Sequence, residues 1–222
     1  IFLIFNIFSI KKILSEHRED IFILVFILFF SSLLLIFLKE YEINKIIISV
    51  LSSVSNSGIA IIKMPENISL FFLLLSIIGG SLISNSGGIK LMRIYILLKA
   101  SSGEILKLVR PNNIINQNIL FSNKKITSDY IKISFLIFIS FFISLFILSG
   151  VLIFDDLNFE TTFKISLLTL TNTTNSELYG VNNLNFINLL TSSKIALIIF
   201  MIVGKIELIS IFLIIKRFFF KN

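Results

Sequence analysis

The chain has 222 residues, of which 55% are apolar and only 15% charged, with a mean hydropathy of +0.97. An average soluble domain carries about 25% charged residues, so this is the composition of an integral membrane protein. The absence of cysteine and the presence of a single histidine, His17, remove disulfides, thiol catalysis and thiolate or His-based metal sites together, and the net charge of +7 needs no nucleic acid, because juxtamembrane Lys and Arg facing anionic headgroups account for it.

The opening IFLIFNIFSIKK reads as the tail of an earlier apolar segment, without the basic start and small-residue cleavage site of a signal peptide. The chain is therefore expected to be part of a longer one, with 1–19 a cytoplasmic juxtamembrane segment. Asp20 to Leu38 offers about 19 residues almost free of charge, close to the ~20 that cross ~30 Å of hydrocarbon, and is predicted to span. Ile46 to Val54 is apolar but too short to span; it runs into SNSGIA and reads as re-entrant. Ile68 to Ile78 is again short, about 11 residues or about 16 Å of helix, and stops at Gly79 and Gly80. The chain resumes after Gly87 and Gly88 as IKLMRIYILLK. Between them, GGSLISNSGG has glycine pairs that relieve backbone restriction, and Ser81, Ser84, Asn85 and Ser86 can satisfy freed backbone groups or bind water. It reads as an intramembrane break in a helix, against the alternative of a glycine-hinged packing face or a kinked helix.

The order then repeats. After a basic linker, 101–129, Ile131 to Phe154 is a second span, Phe163 to Leu170 a second short segment running into TNTTNSELYG, and Ile195 to Ile215 a third long apolar run. Ser53-Val54-Ser55-Asn56-Ser57 and Thr169-Leu170-Thr171-Asn172-Thr173 share the pattern hydroxyl, apolar, hydroxyl, Asn, hydroxyl at the same point, so 20–100 and 130–222 read as two copies of one unit. Lys11, Lys12, Arg18, Lys90, Arg93, Lys99, Lys107, Arg110, Lys124, Lys125, Lys132, Lys216, Arg217 and Lys221 fall on one side of this topology. Glu40, Glu42, Glu66, Asp155, Asp156, Glu160 and Glu177 fall on the other. The basic side is predicted to be cytoplasmic, and both polar loops enter from outside. Lys205 lies midway between Lys194 and Lys216, too deep in the last run for easy snorkelling, so it is expected to face an aqueous cavity.

Loops of hydroxyl and carbonyl groups at membrane depth must be enclosed by protein or line a water-filled path, and such oxygens can replace the hydration shell of a monovalent cation. The motifs point the same way. GGSLISNSGGIKLMRI is similar to the pattern G-G-x-x-x-S-x-x-G-G-I-K-x-x-R, EILKLVRPN (Glu104 to Asn112) to E-L-K-R-L-x-H-P-N, and GKIELISIF (Gly204 to Phe212) to G-R-L-E. Ser55-Asn56-Ser57-Gly58-Ile59 loosely matches T-T-T-G-F. Together, in this order, they resemble the Trk/Ktr/HKT potassium transporter family, over nearly the whole chain from His17 onward.

The resemblance implies an all-α integral membrane protein built of repeats of transmembrane helix, re-entrant pore helix, filter loop and transmembrane helix, with the last two of four repeats at 20–100 and 130–222. It implies potassium uptake across the bacterial plasma (inner) membrane by a multi-pass pore subunit. The ion filter would be Ser55, Asn56, Ser57 and Gly58 together with Thr171, Asn172, Thr173, Thr174 and Asn175. The gate beneath it would be Gly79, Gly80, Ser84, Asn85, Ser86, Gly87, Gly88 and Lys205. Transported K+ binds at the filter residues and no cofactor is bound by this chain. The implied partners are a second copy, a cytoplasmic nucleotide-binding regulatory subunit (TrkA-like) and the lipid bilayer. The last filter departs from the usual N-L-G-P-G, reading Asn172-Thr173-Thr174-Asn175-Ser176, so its glycine is replaced. An intramembrane enzyme, which needs convergent acid, base or nucleophile groups, and a non-conducting scaffold are the alternatives.

Overall fold

The computed structural model describes residues 18–37, 42–60, 66–80, 86–109, 125–155, 157–173, 177–181, 186 and 189–206. In chain order these form α1 (Arg18–Phe37), α2 (Ile43–Val54), α3 (Glu66–Ile77), β1 (Ile78–Gly79), β2 (Ile89–Lys90), α4 (Leu91–Val109), α5 (Ser128–Ile153), α6 (Phe159–Thr171), a 3-10 turn at Glu177–Tyr179 and α7 (Thr191–Ile206). α1 packs on α2 and α2 on α3; α5 packs on α6 and α6 on α7, while α3 meets α6 and α4 meets α5.

The long helix α5 begins after an extended Thr127 with Asp129 in its first turn, where a negative charge complements the helix dipole. It is apolar on all sides. One face, with Ile137, Phe141, Leu145, Leu148 and Leu152, is buried in the core, and the opposite face leaves Phe135, Ile139, Ile143 and Phe146 exposed. The same division recurs in α1 (Leu24, Val25, Leu28 and Phe29 exposed) and α7 (Ile195, Ile198, Ile199 and Ile202). Apolar surface this extensive is not kept in water; this is a membrane protein. Among the described residues, α5 is the one helix long and apolar enough to cross a bilayer by itself, and Ile23–Ile36, Ile43–Val54 and Ile68–Ile77 are shorter apolar helices.

The core lies where the short helices meet the long ones. Ile46, Val50 and Val54 of α2, Phe72 and Leu75 of α3, Leu167 and Leu170 of α6, and Leu178 and Tyr179 of the 3-10 turn share one buried cluster with α5. Phe30 of α1 reaches Phe71 of α3 at 5.5 Å between ring centroids.

One boundary differs from the sequence expectation, and one burial was not part of it. The helix after the double-glycine segment continues past Ala100 to Val109, so the boundary drawn at 100/101 falls inside α4. Within its Ser-Ser-Gly stretch, Ser101 and Ser102 donate back to the Leu97 and Lys99 carbonyls, so their hydroxyls do not compete as caps. Lys90, counted from its charge among the basic residues of one side, is buried, at 6% exposure.

Candidate functional site

The buried faces of α2 and α6 are lined by hydroxyls whose hydrogens are taken up within the helix. Ser49 donates to the Lys45 carbonyl and Ser53 to that of Ser49. In α6, Ser166, Thr169 and Thr171 donate to the carbonyls of Thr162, Ile165 and Leu167. These back-bonds satisfy polar groups that would otherwise be costly to bury, and they carry the hydroxyl-rich face to each helix end.

Both ends close in the same way. Asn56 and Asn172 are in the left-handed backbone region, with φ of 57° and 54°, and are the positive-φ non-glycine residues among those described. The N–H of Asn56 donates to the Ser53 carbonyl at 3.2 Å and that of Ser57 to Ser52 at 3.0 Å; in the second copy Asn172 donates to Thr169 at 3.1 Å and Thr173 to Leu168 at 2.9 Å. This pair of bonds is a Schellman ending, in which the left-handed residue is most often Gly and next Asn. Hydroxyls gather on the turns: Ser52 and Ser57 Oγ are 3.1 Å apart, and Thr171 and Thr173 Oγ1 share a hydrogen at 2.7 Å. Gly58 follows, buried and also left-handed, with φ of 68°.

The asparagine side chains leave their own turns. Asn56 Nδ2 donates to the Gly87 carbonyl at 3.0 Å, and Asn172 Nδ2 donates to the Met201 carbonyl of α7 at 2.8 Å.

The double-glycine segment is closed at its neck. β1 and β2 pair in parallel, Ile78 with Ile89 and Gly79 with Lys90. The Gly80 N–H donates to Ser86 Oγ at 2.8 Å, and Lys90 Nζ donates to the Ser86 carbonyl at 2.6 Å. Gly88 turns the chain with φ of 75°. Beyond the neck, Gly87 comes so close to α6 that a Cβ would stand 2.0 Å from the Thr171 carbonyl oxygen, and a Cβ on Gly204 of α7 would stand 2.1 Å from that of Leu170. Glycine is needed at both places because backbone meets backbone.

The structure thus brings Asn56, Gly87 and Thr171 together, and sets Gly79, Gly80, Ser86 and Gly88 at the adjoining neck. Ser55 is exposed and Ser57 half-buried beside it, while Thr173 is buried in the second turn. Lys205, exposed in the last turn of α7, follows the residue that abuts Leu170. Thr174, Asn175, Ser84 and Asn85 lie outside the described residues. Sequence reasoning did not find Met201, the close approach of Gly204 or the inward turn of Lys90. The first two are backbone contacts, which leave no side-chain pattern to read.

A cavity of about 540 Å³ opens between α6 and α7, with Thr169 and Thr173 on one wall, Leu197 and Met201 on the other, and Lys194 on its lining. Most of its lining is apolar, with Ile165, Leu168, Val181, Phe186 and Ile198 completing the wall.

No known protein-family model matches the chain. An uncharacterised cation transporter of Methanocaldococcus jannaschii is 27% identical over 205 residues, covering 87% of this chain and 40% of that protein. The Trk system potassium uptake protein TrkG of Escherichia coli is 29% identical over 160 residues, covering 71% of this chain and 32% of that protein. The crystal structure of the potassium transporter TrkH from Vibrio parahaemolyticus has the same fold, with a TM-score of 0.76 at 22% identity, over 90% of this chain and 44% of that one. The chain therefore spans less than half the length of each of these proteins.

Proposed function

We propose that this chain, which belongs to the Trk family of potassium transporters, supplies two of the pore repeats of a protein that takes up potassium across a bacterial inner membrane. The observation that carries this reading is the pair of matched helix ends, Asn56 after α2 and Asn172 after α6, whose turns both reach the Gly87 region. Each repeat consists of a transmembrane helix, a short re-entrant helix, a polar turn and a second helix. Backbone oxygens of Ser55, Asn56, Ser57 and Gly58, and of Thr171, Asn172, Thr173 and the following Thr174 and Asn175, share one axis and replace the hydration shell of K+. A shared axis also shields both turns from lipid. The segment from Gly79 to Gly88, closed at its neck by Lys90, is the gate beneath them, and Lys205 adds a positive charge at the same level. The working protein is multi-pass, pairs with a second copy and responds to a cytoplasmic nucleotide-binding subunit.

The chain is not an enzyme. Its named relatives are transporters.

The test is the full-length reading frame expressed in cells lacking other potassium uptake systems, scored by growth at low potassium and by rubidium uptake. Both are expected. Membrane insertion without either would leave a non-conducting scaffold, as the replaced glycine of the last filter would then explain.

A further inference from the structure

We propose that Asn56 is a positioning residue that sets ion discrimination through the hydrogen bond from its Nδ2 to the Gly87 carbonyl. The inference rests on the reading above of the turn after α2 as a filter. Asn56 is 6% exposed, and its amide lies 3.0 Å from an oxygen of the residue whose own backbone abuts the Thr171 carbonyl. One bond therefore ties the first turn to the segment that touches the second. The three pieces cannot shift independently.

The identity of the residue supports this role. A left-handed turn at position 56 would be served equally by glycine, which has no side chain to bury. Asparagine brings a buried Oδ1 with no hydrogen-bond donor among the described residues, and burying an amide for its donor end alone costs stability. A side chain that is a burden to the fold at one end is present for what its other end does.

Asn172 provides the internal comparison. It has the same backbone and the same pair of turn bonds, but its amide goes to Met201 of α7, and it is not buried. Among the described residues, the Asn amide of the first turn bonds the double-glycine segment and that of the second does not. Because a cage of carbonyls distinguishes K+ from the smaller Na+ by holding its oxygens at a fixed number and spacing, a turn released from Gly87 can close further and accept sodium.

The experiment uses the full-length transporter with Asn56→Gly and, separately, Asn56→Asp. Glycine keeps the left-handed turn and removes the amide; aspartate keeps the shape and presents only acceptors to the Gly87 carbonyl. Sodium competition against rubidium uptake is measured in cells lacking other uptake systems, alongside the maximal rubidium rate and the amount of protein in the membrane. Both variants are expected to lose about fivefold in rubidium-over-sodium preference, the equivalent of one hydrogen bond of ordinary net worth, in protein that still accumulates in the membrane. An unchanged preference would overturn the proposal, and so would failure of both variants to accumulate, which would give Asn56 a folding role alone. A wild-type protein that moves no rubidium is a different result: it removes the transporter reading itself, and this inference with it.

Discussion

Gly204 stands so close to Leu170 that a Cβ would lie 2.1 Å from the Leu170 carbonyl oxygen. The last helix thus meets the end of α6 backbone to backbone, and this contact fixes its height against the second polar turn. Gly204→Ala forces the two apart, and overpacking of this kind typically costs about 1–3 kcal/mol. The thermal unfolding midpoint of the full-length protein in detergent should fall. Gly150→Ala is the control, since an added Cβ there meets nothing within 4 Å and a helix-interior glycine gains up to about 1 kcal/mol on becoming alanine. Equal midpoints for the two variants would show that the Gly204 contact is not made.

Lys90 closes the neck of the double-glycine segment from within. Its backbone pairs with Gly79, and its ammonium donates to the Ser86 carbonyl at 2.6 Å. Lys90→Met keeps the apolar stem and leaves that carbonyl without this donor, a loss of about 1–3 kcal/mol. If the neck holds the gate shut, rubidium flux at rest should rise at least about fivefold, following from the lower end of that range. Lys90→Arg keeps a donor and should stay near wild type. Flux unchanged in Lys90→Met would remove the neck from the gating apparatus.

Much of this arrangement was legible in the sequence, for definite reasons. Short apolar runs that stop at Ser, Thr and Asn gave the ends of α2 and α6, because a hydroxyl-rich stretch after too few residues to span has few other places to go. The repeated Asn was visible as well, but its left-handed backbone was not read from it, although Asn adopts that region more readily than most residues. The burial of Lys90 was not legible, because charge placement sorts lysines by side and carries no information about whether a nearby carbonyl recruits the ammonium. The parallel pairing of Ile78 with Ile89 was invisible because a two-residue ladder has no periodicity. The extension of α4 to Val109 was hidden by Ser101, Ser102 and Gly103, residues that usually end helices. Here the hydroxyls bond backward and Glu104 pairs with Lys107 one turn on.

Asn172 separates the two jobs of its side chain. Its φ of 54° is strained for most residues, so Asn172→Ala should destabilise the protein by more than about 0.4–1 kcal/mol, whereas glycine adopts this backbone freely. Asn172→Gly should therefore unfold at a higher temperature than Asn172→Ala, both measured in detergent on the full-length transporter. If alanine proves as stable as glycine, the left-handed ending of α6 is wrong.

Lys205 is the last case, and its argument combines depth with position. It lies midway between Lys194 and Lys216, and a lysine at the centre of a bilayer costs ~2.5 to 3.5 kcal/mol even on the lenient insertion scale. Its neighbour Gly204 touches the Leu170 carbonyl, while Gly87 touches that of Thr171, so the lysine is carried near the end of α6, which the double-glycine segment approaches at Gly87. Its side chain is exposed. Glu207 cannot serve as its partner within a helix, since residues two apart point to different faces. A charge in this position is tolerable if it faces water in the ion path, where it opposes cation passage and can donate to carbonyls freed by the broken helix. Lysine keeps the charge of the arginine in the family's G-R-L-E pattern but not its planar fork, so it would hold fewer such carbonyls at once. Lys205→Gln in the full-length transporter should raise rubidium flux and make it independent of the proposed regulatory subunit, with potassium-dependent growth of uptake-deficient cells as the second readout. Wild-type flux in this variant, still under regulatory control, would show that the lysine lies off the ion path, with its stem along lipid and its ammonium at an interface.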